Sequence, residues 1–201
     1  DIAQCLVGSE MCIRDSYYYE AVYTGLVENH IDDKTGKVLY TEVHQIQVGQ
    51  NYKISSKEFE GYDLVETKLP ENSTGTMEEE LVTVNYYYIK KAVLEVNYVN
   101  VLTNEPLTEK IVDNTKHEGD SYTTEQKEFT RYDLVEVPAN STGTMEVQTD
   151  ADGDIVNNKT VVTYYYAQKA QVEEHHIDIL TNDEIEEPTI HDGHVGDEYN
   201  I

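Results

Sequence analysis

Asp150-Ala151-Asp152-Gly153-Asp154 sets three carboxylates around a glycine, the kind of oxygen-rich string that could ligate calcium. An EF-hand-type loop needs glycine at its sixth position and glutamate at its twelfth. Counted from Asp150, Gly153 falls fourth and Val161 twelfth, so the pattern fails. The string reads first as a hairpin tip, where Asp152-Gly153 suits a type I′ turn with positive φ at both central residues. An irregular calcium site on Asp150, Asp152 and Asp154 is the alternative. Seven histidines, above all His175, His176, His191 and His194, raise a transition-metal reading. Adjacent strand residues project to opposite faces, so His175 and His176 cannot reach one ion from a regular strand. Both cysteines, Cys5 and Cys12, lie far from these histidines in the chain, and no zinc-ligand spacing is present. No cofactor or metal is expected beyond the calcium alternative. No nucleophile–base pair, phosphate loop or catalytic carboxylate pair is present. The Ser/Thr cluster "NSTG" is explained by turn formation, and the chain reads as non-enzymatic.

Tyrosine is the residue type best placed for binding. There are 17, and a triple tyrosine occurs at 17–19, 86–88 and 164–166. In a strand of period two, Val82, Val84, Tyr86 and Tyr88 share one face, as do Val162, Tyr164 and Tyr166. Tyr18, Tyr87 and Tyr165 then point outward, once per triplet. A rigid amphipathic ring at such a position suits stacking on a sugar or contact with a protein. Strand propensity and cross-strand packing are the bland alternative.

The elements that would hold these residues follow from internal repetition. "YDLVE" occurs at 62–66 and again at 132–136, and "NSTGTM" at 72–77 and 140–145. "VGQNY", "EGDSY" and "VGDEY" end at Tyr52, Tyr122 and Tyr199. The motifs recur in one order, which marks duplication. We read residues 17–91 as one module, 92–169 as a second, and 170–201 as the opening of a third. His176 aligns with Tyr98 and His30, at a position read as semi-buried. The second module carries about ten extra residues between "NSTGTM" and its tyrosine strand. Residues 1–16 match no repeat and read as a non-native leader. Each module reads as strand, hairpin, strand, short helix or loop, strand, strand, with one or two helical turns open to residues 123–129.

Composition narrows the function. Lys and Arg number 14 against 40 Asp and Glu, a net charge of −26. That charge disfavours nucleic acid and anionic membranes, where basic residues carry affinity. No stretch approaches the roughly 20 apolar residues of a membrane helix. The many aromatic and β-branched residues argue against disorder.

Taken together, "VEEHHIDILTNDEI", "HVGDEY", "F-x-x-Y-D-L-V-E" and "TVVTYYYAQK" resemble the MucBP (mucin-binding protein) repeat of Gram-positive surface adhesins. The resemblance covers 17–201. It implies a mainly β (α+β) chain of β-grasp-like modules with little helix, in an elongated tandem array. It also implies extracellular, wall-attached display, with signal and anchor outside this stretch, and host mucin glycoprotein or other glycans as partners. A passive stalk presenting another domain is the rival reading.

Overall fold

A computed structural model describes residues 20–200, preceded only by a short pairing of Cys5–Leu6 with Met11–Cys12. That pairing aside, Tyr18 and the other residues before 20 lie outside the described residues. Two compact units are found: Asp1–Lys57 with Leu64–Tyr88, and Glu58–Asp63 with Ile89–Ile201. In chain order the strands are β1 (Tyr23–Asp32), β2 (Val38–Gln47), β3 (Asn51–Lys53), β4 (Tyr62–Leu64), β5 (Thr74–Thr76), β6 (Val82–Asn100) and β7 (Ile111–His117). There follow β8 (Ser121–Thr123), β9 (Tyr132–Glu136), β10 (Thr142–Thr144), β11 (Gln148–Thr149), β12 (Ile155–Asn157), β13 (Lys159–Glu174) and β14 (Thr189–His194).

One pattern of pairing occurs twice. β1 lies antiparallel to β2 and parallel to the first half of β6, giving the order β2-β1-β6-β4. The second half of β6 lies antiparallel to β7 and parallel to β13, giving β7-β6-β13-β9. β6 thus closes one repeat and opens the next without a linker. β13 does the same, since its end from Lys169 to Glu174 pairs with β14.

Alternation explains why these segments are strands. Every even position of β6 from Val84 to Tyr98 is buried, Lys90 and Ala92 included. Val84, Tyr86, Val162 and Tyr164 are 0, 5, 0 and 1% exposed, as the period-two reading requires. In the second unit Leu94, Val96, Tyr98, Tyr122, Met145, Tyr164 and Tyr166 form the core, with Phe129 and Leu134 packed against it.

The repeated motifs hold each other. Gly49 N–H donates to Met77 C=O and Met77 N–H to Gln50 C=O; Gly119, Met145 and Asp120 repeat this. β3 pairs with β5, and β8 with β10, which lays a tyrosine ring over a glycine. A Cβ on Gly143 would stand 3.0 Å from the Tyr122 hydroxyl oxygen, so any larger residue at the glycine of "STGT" would crowd the ring. The methionine ending each "NSTGTM" plugs the core at 1% exposure.

Two expectations are corrected. Residues 123–129 form no helix; among the described residues the single helical element is the 3-10 turn Glu66–Lys68. The crossover is extended because inward tyrosines satisfy its backbone. Tyr166 Oη accepts from Lys127 N–H (3.0 Å) and donates to Lys127 C=O (2.7 Å), while Tyr98 Oη donates to Glu125 C=O (2.8 Å). Tyr86 and Tyr88 do the same for Ile54 and Lys57. The second correction concerns the hairpin tip. Gly153 alone has positive φ, so Asp152-Gly153 is not a type I′ turn. Asp150 supplies the closure: its Oδ1 accepts from the amides of Asp152 (3.0 Å) and Asp154 (2.9 Å). This tip joins β11 to β12, which are built from the ten extra residues.

Candidate functional site

The face opposite the core carries the outward tyrosines. Tyr165 is 41% exposed. Tyr87 is partly covered, because Lys68 Nζ stands 5.7 Å from its ring centroid and is itself held by both carboxylate oxygens of Asp33 (2.6 and 2.8 Å). Positions that look equivalent in sequence therefore differ in access. Each outward face also carries amides. Asn29 Nδ2 donates to Asn85 Oδ1 (2.9 Å), and Thr41 Oγ1 donates to Asn29 Oδ1 (2.7 Å).

In the second unit a cleft of about 760 Å³ is lined by the outward Glu95, Asn97 and Val99 together with Lys110, the core residue Tyr98 and the core-packed Leu107; Tyr165 is not among its lining residues. Val99 is the register partner of Tyr165, and Asn97 that of Thr163. The Glu95 carboxylate receives Lys110 (2.9 Å), Lys159 (3.2 Å) and Asn97 (3.3 Å). Hydrogen bonds from Lys110 and then Lys159 outweigh its desolvation and hold it at about 2. An apolar floor with an amide and fixed charges at its edge is how proteins meet a polar ligand that has apolar faces. The sequence singles out Tyr165 as outward but not Asn97 or Glu95. Both share its face by alternation, and that was the available signal.

The metal readings disperse. The four C-terminal histidines are spread over three carboxylates: His175 Nδ1 meets Glu184 (2.7 Å), His176 Nε2 and His191 Nε2 both meet Glu174 (3.0 Å each), and His194 Nε2 meets Asp133 (3.1 Å). The hydrogen bond to Glu184 raises the His175 pKa. Among the described residues, the one group of three side chains that could close on an ion is Glu28, Glu42 and His44; Asp150, Asp152 and Asp154 form no such group.

That group sits at the inner edge of the first sheet, on β1 and β2. Glu28 is 3% exposed. Its Oε1 meets His30 Nε2 (2.7 Å) and Lys57 Nζ (2.8 Å), and its Oε2 meets His44 Nε2 (3.2 Å). Burial pushes the carboxyl up, but Lys57, His30 and His44 together hold it at about 2. His30, fully buried, stacks on Tyr86 with centroids 5.4 Å apart. The semi-buried reading of this position thus holds in stronger form for His30 and Tyr98, whereas the His176 side chain is 48% exposed.

A second arrangement recurs inside the second unit. Asp63 bridges Lys91 (2.9 Å) and His117 (3.0 Å), and Asp133 bridges Lys169 (3.1 Å) and His194 (3.1 Å). In each case the aspartate comes from "YDLVE", the lysine from the end of a closing strand, and the histidine from the next repeat's hairpin. Lys169 and His194 hold the Asp133 carboxyl below its ordinary range.

Two copies of one four-stranded unit, fused strand to strand and bearing tyrosine and amide on the outer face, define a tandem array of β modules. The sequence profile of the MucBP domain matches residues 28–89 and 94–167, and the chain belongs to that family of surface-adhesion modules. Internalin J of Listeria monocytogenes serovar 1/2a is 33% identical over 152 residues, 73% of this chain and 16% of Internalin J. Its serotype 4b counterpart is 34% identical over 146 residues, 70% of this chain and 14% of that protein. The chain therefore spans about a sixth of the relatives it matches. Among solved structures, Mub-RV (11% identical, TM-score 0.27) covers 72% of this chain and 98% of its own. The type 2 repeat of the mucus binding protein MUB from Lactobacillus reuteri (15%, TM-score 0.24) covers 72% and 99%. Likenesses at that level are too distant to bear on the site. No helix among the described residues is long and apolar enough to cross a membrane.

Proposed function

We propose that this chain is an adhesive array displayed outside a Gram-positive cell, whose repeats bind mucin-type glycoprotein or related glycans without catalysis. The observation that carries it is the outer face of the second unit, where the exposed Tyr165 is in register with Val99, a residue that lines a cleft together with Asn97 and Glu95. Amide and carboxylate suit sugar hydroxyls, and the exposed ring suits a sugar's C–H face. A net charge of −26 repels sialylated or sulfated chains, so direct recognition rests on neutral hydroxyls, stacking and polypeptide contacts, or else on a bridging cation. Affinity per repeat is low and retention arises from several repeats engaging together. The test is retention of the folded chain on immobilised mucin. Tyr165→Ala weakens it without unfolding, and added salt leaves it unchanged or strengthens it as repulsion is screened. Retention that collapses in modest salt would contradict this mechanism. No retention, with or without calcium, would favour the stalk, a reading supported by the two Asp–Lys–His bridges that tie "YDLVE" to a following hairpin.

A further inference from the structure

The Glu28 cluster has a property that salt bridging leaves unused. Glu28 and Glu42 are register partners across β1 and β2, and His44 is partner to Leu26, one step along the same inner face. This brings three donors from two strands together. His44 Nε2 lies 3.2 Å from Glu28 Oε2 and 4.0 Å from Glu42 Oε2, and all three ligand atoms lie within 4.8 Å of one another. Tetrahedral zinc, with bonds near 2.1 Å, separates its ligands by about 3.4 Å. The first pair is already at that spacing, and a small rotation of Glu42, 44% exposed, brings the second to it.

The surroundings orient the donors. His30 and Lys57 occupy Glu28 Oε1 and so direct Oε2 toward His44. Tyr40 Oη donates to Glu42 Oε2 at 2.6 Å. Ligands fixed in this way by outer hydrogen bonds are what a metal site requires. Two carboxylates against the one Lys57 ammonium leave negative charge for an ion. A nitrogen and two carboxylate oxygens select a borderline first-row cation over calcium, which prefers six or more oxygens.

We propose that Glu28, Glu42 and His44 form a binding site for one zinc-type divalent cation, with a fourth position open to solvent. The third repeat supplies an internal control. Glu174 meets His176 and His191 as Glu28 meets His30 and His44, but Thr189 stands opposite Glu174 where Glu42 stands opposite Glu28. In the second repeat the Glu28 and His30 positions carry Val96 and Tyr98, and Asp113 faces Leu94 where His44 faces Leu26.

The experiment titrates the full chain, stripped with chelator, with zinc chloride in a calorimeter. Cobalt(II) absorption provides a second readout of low-symmetry coordination. One equivalent is expected to bind, His44→Gln should weaken it by at least about tenfold, and His191→Gln should leave it unchanged. Glu42→Gln, at an exposed position on β2, gives the same loss and guards against a folding defect in His44→Gln. No zinc uptake by the chain, or uptake undiminished in both ligand variants, would overturn the proposal and leave the cluster a salt-bridged network. Neither result depends on whether the array binds mucin.

Discussion

Replacing Tyr166 by phenylalanine isolates the contribution of one hydroxyl. The ring stays, so apolar burial is conserved. The lost atom is the one that receives Lys127 N–H at 3.0 Å and donates to Lys127 C=O at 2.7 Å. Leaving a buried polar group without its partner costs about 1–3 kcal/mol. Two groups are orphaned here, but Lys127 is only half-buried and water reaches it, so the total stays near about 1–3 kcal/mol. For a unit of this size that lowers the thermal midpoint by about 5–15 °C. The control is Tyr165→Phe on the neighbouring outward ring, expected within about 0.5 kcal/mol of the parent. Urea melts give the two stabilities, and amide exchange at Lys127 should accelerate only in Tyr166→Phe. If the two variants melt alike and Lys127 exchange is unmoved, tyrosine hydroxyls do not hold the crossover.

Other outcomes follow from the same contacts. The Glu28 carboxyl sits at about 2 against a usual 4.5, so its stabilisation is complete above pH 4.5 and is lost as pH falls toward 2. The stability gap between parent and Glu28→Gln, on the order of 3 kcal/mol at most, should close across that window in melts at stepped pH. A gap independent of pH would contradict the ionised network. Gly143→Ala sets a Cβ against the Tyr122 ring and should cost about 1–3 kcal/mol in a urea melt; a neutral result would show that the ring moves aside freely. Asp133→Ala removes the bridge to Lys169 and His194, so amide exchange in β14 should rise while β1 and β2 keep their protection.

Alternation made much of the fold legible. Tyr86 and Tyr164 could be placed inside, and Tyr165 outside, because a strand with one buried face fixes the parity of every side chain on it. Order of motifs showed the repeats. The crossover was not legible, since residues 123–129 take their partners from tyrosines 27 and 39 positions away, where local propensity carries no information. The hairpin tip was legible but its turn type was not, for a related reason: Asp150 closes the turn through its side chain, which a dipeptide rule does not weigh. Glu28 was overlooked as an inward residue because charge usually marks the outer face. Its spacing of two from His30, and the same spacing of Glu174 from His176, carried the signal.

The parallel pairing of first and last strands governs how such a repeat meets tension. β1 enters at one end of the sheet and the closing part of β6 leaves at the other, joined by seven register pairs from Leu26–Val82 to Asp32–Tyr88. A pull on the two ends slides these strands past each other, so the ladder is loaded all at once instead of unzipping bond by bond. The second repeat presents eight such pairs. Tension along the chain would therefore meet a shear clamp in each of these two repeats. Single-molecule stretching should show tall, repeat-spaced rupture peaks, whereas low unzipping forces would mean that the parallel ladder does not bear the load.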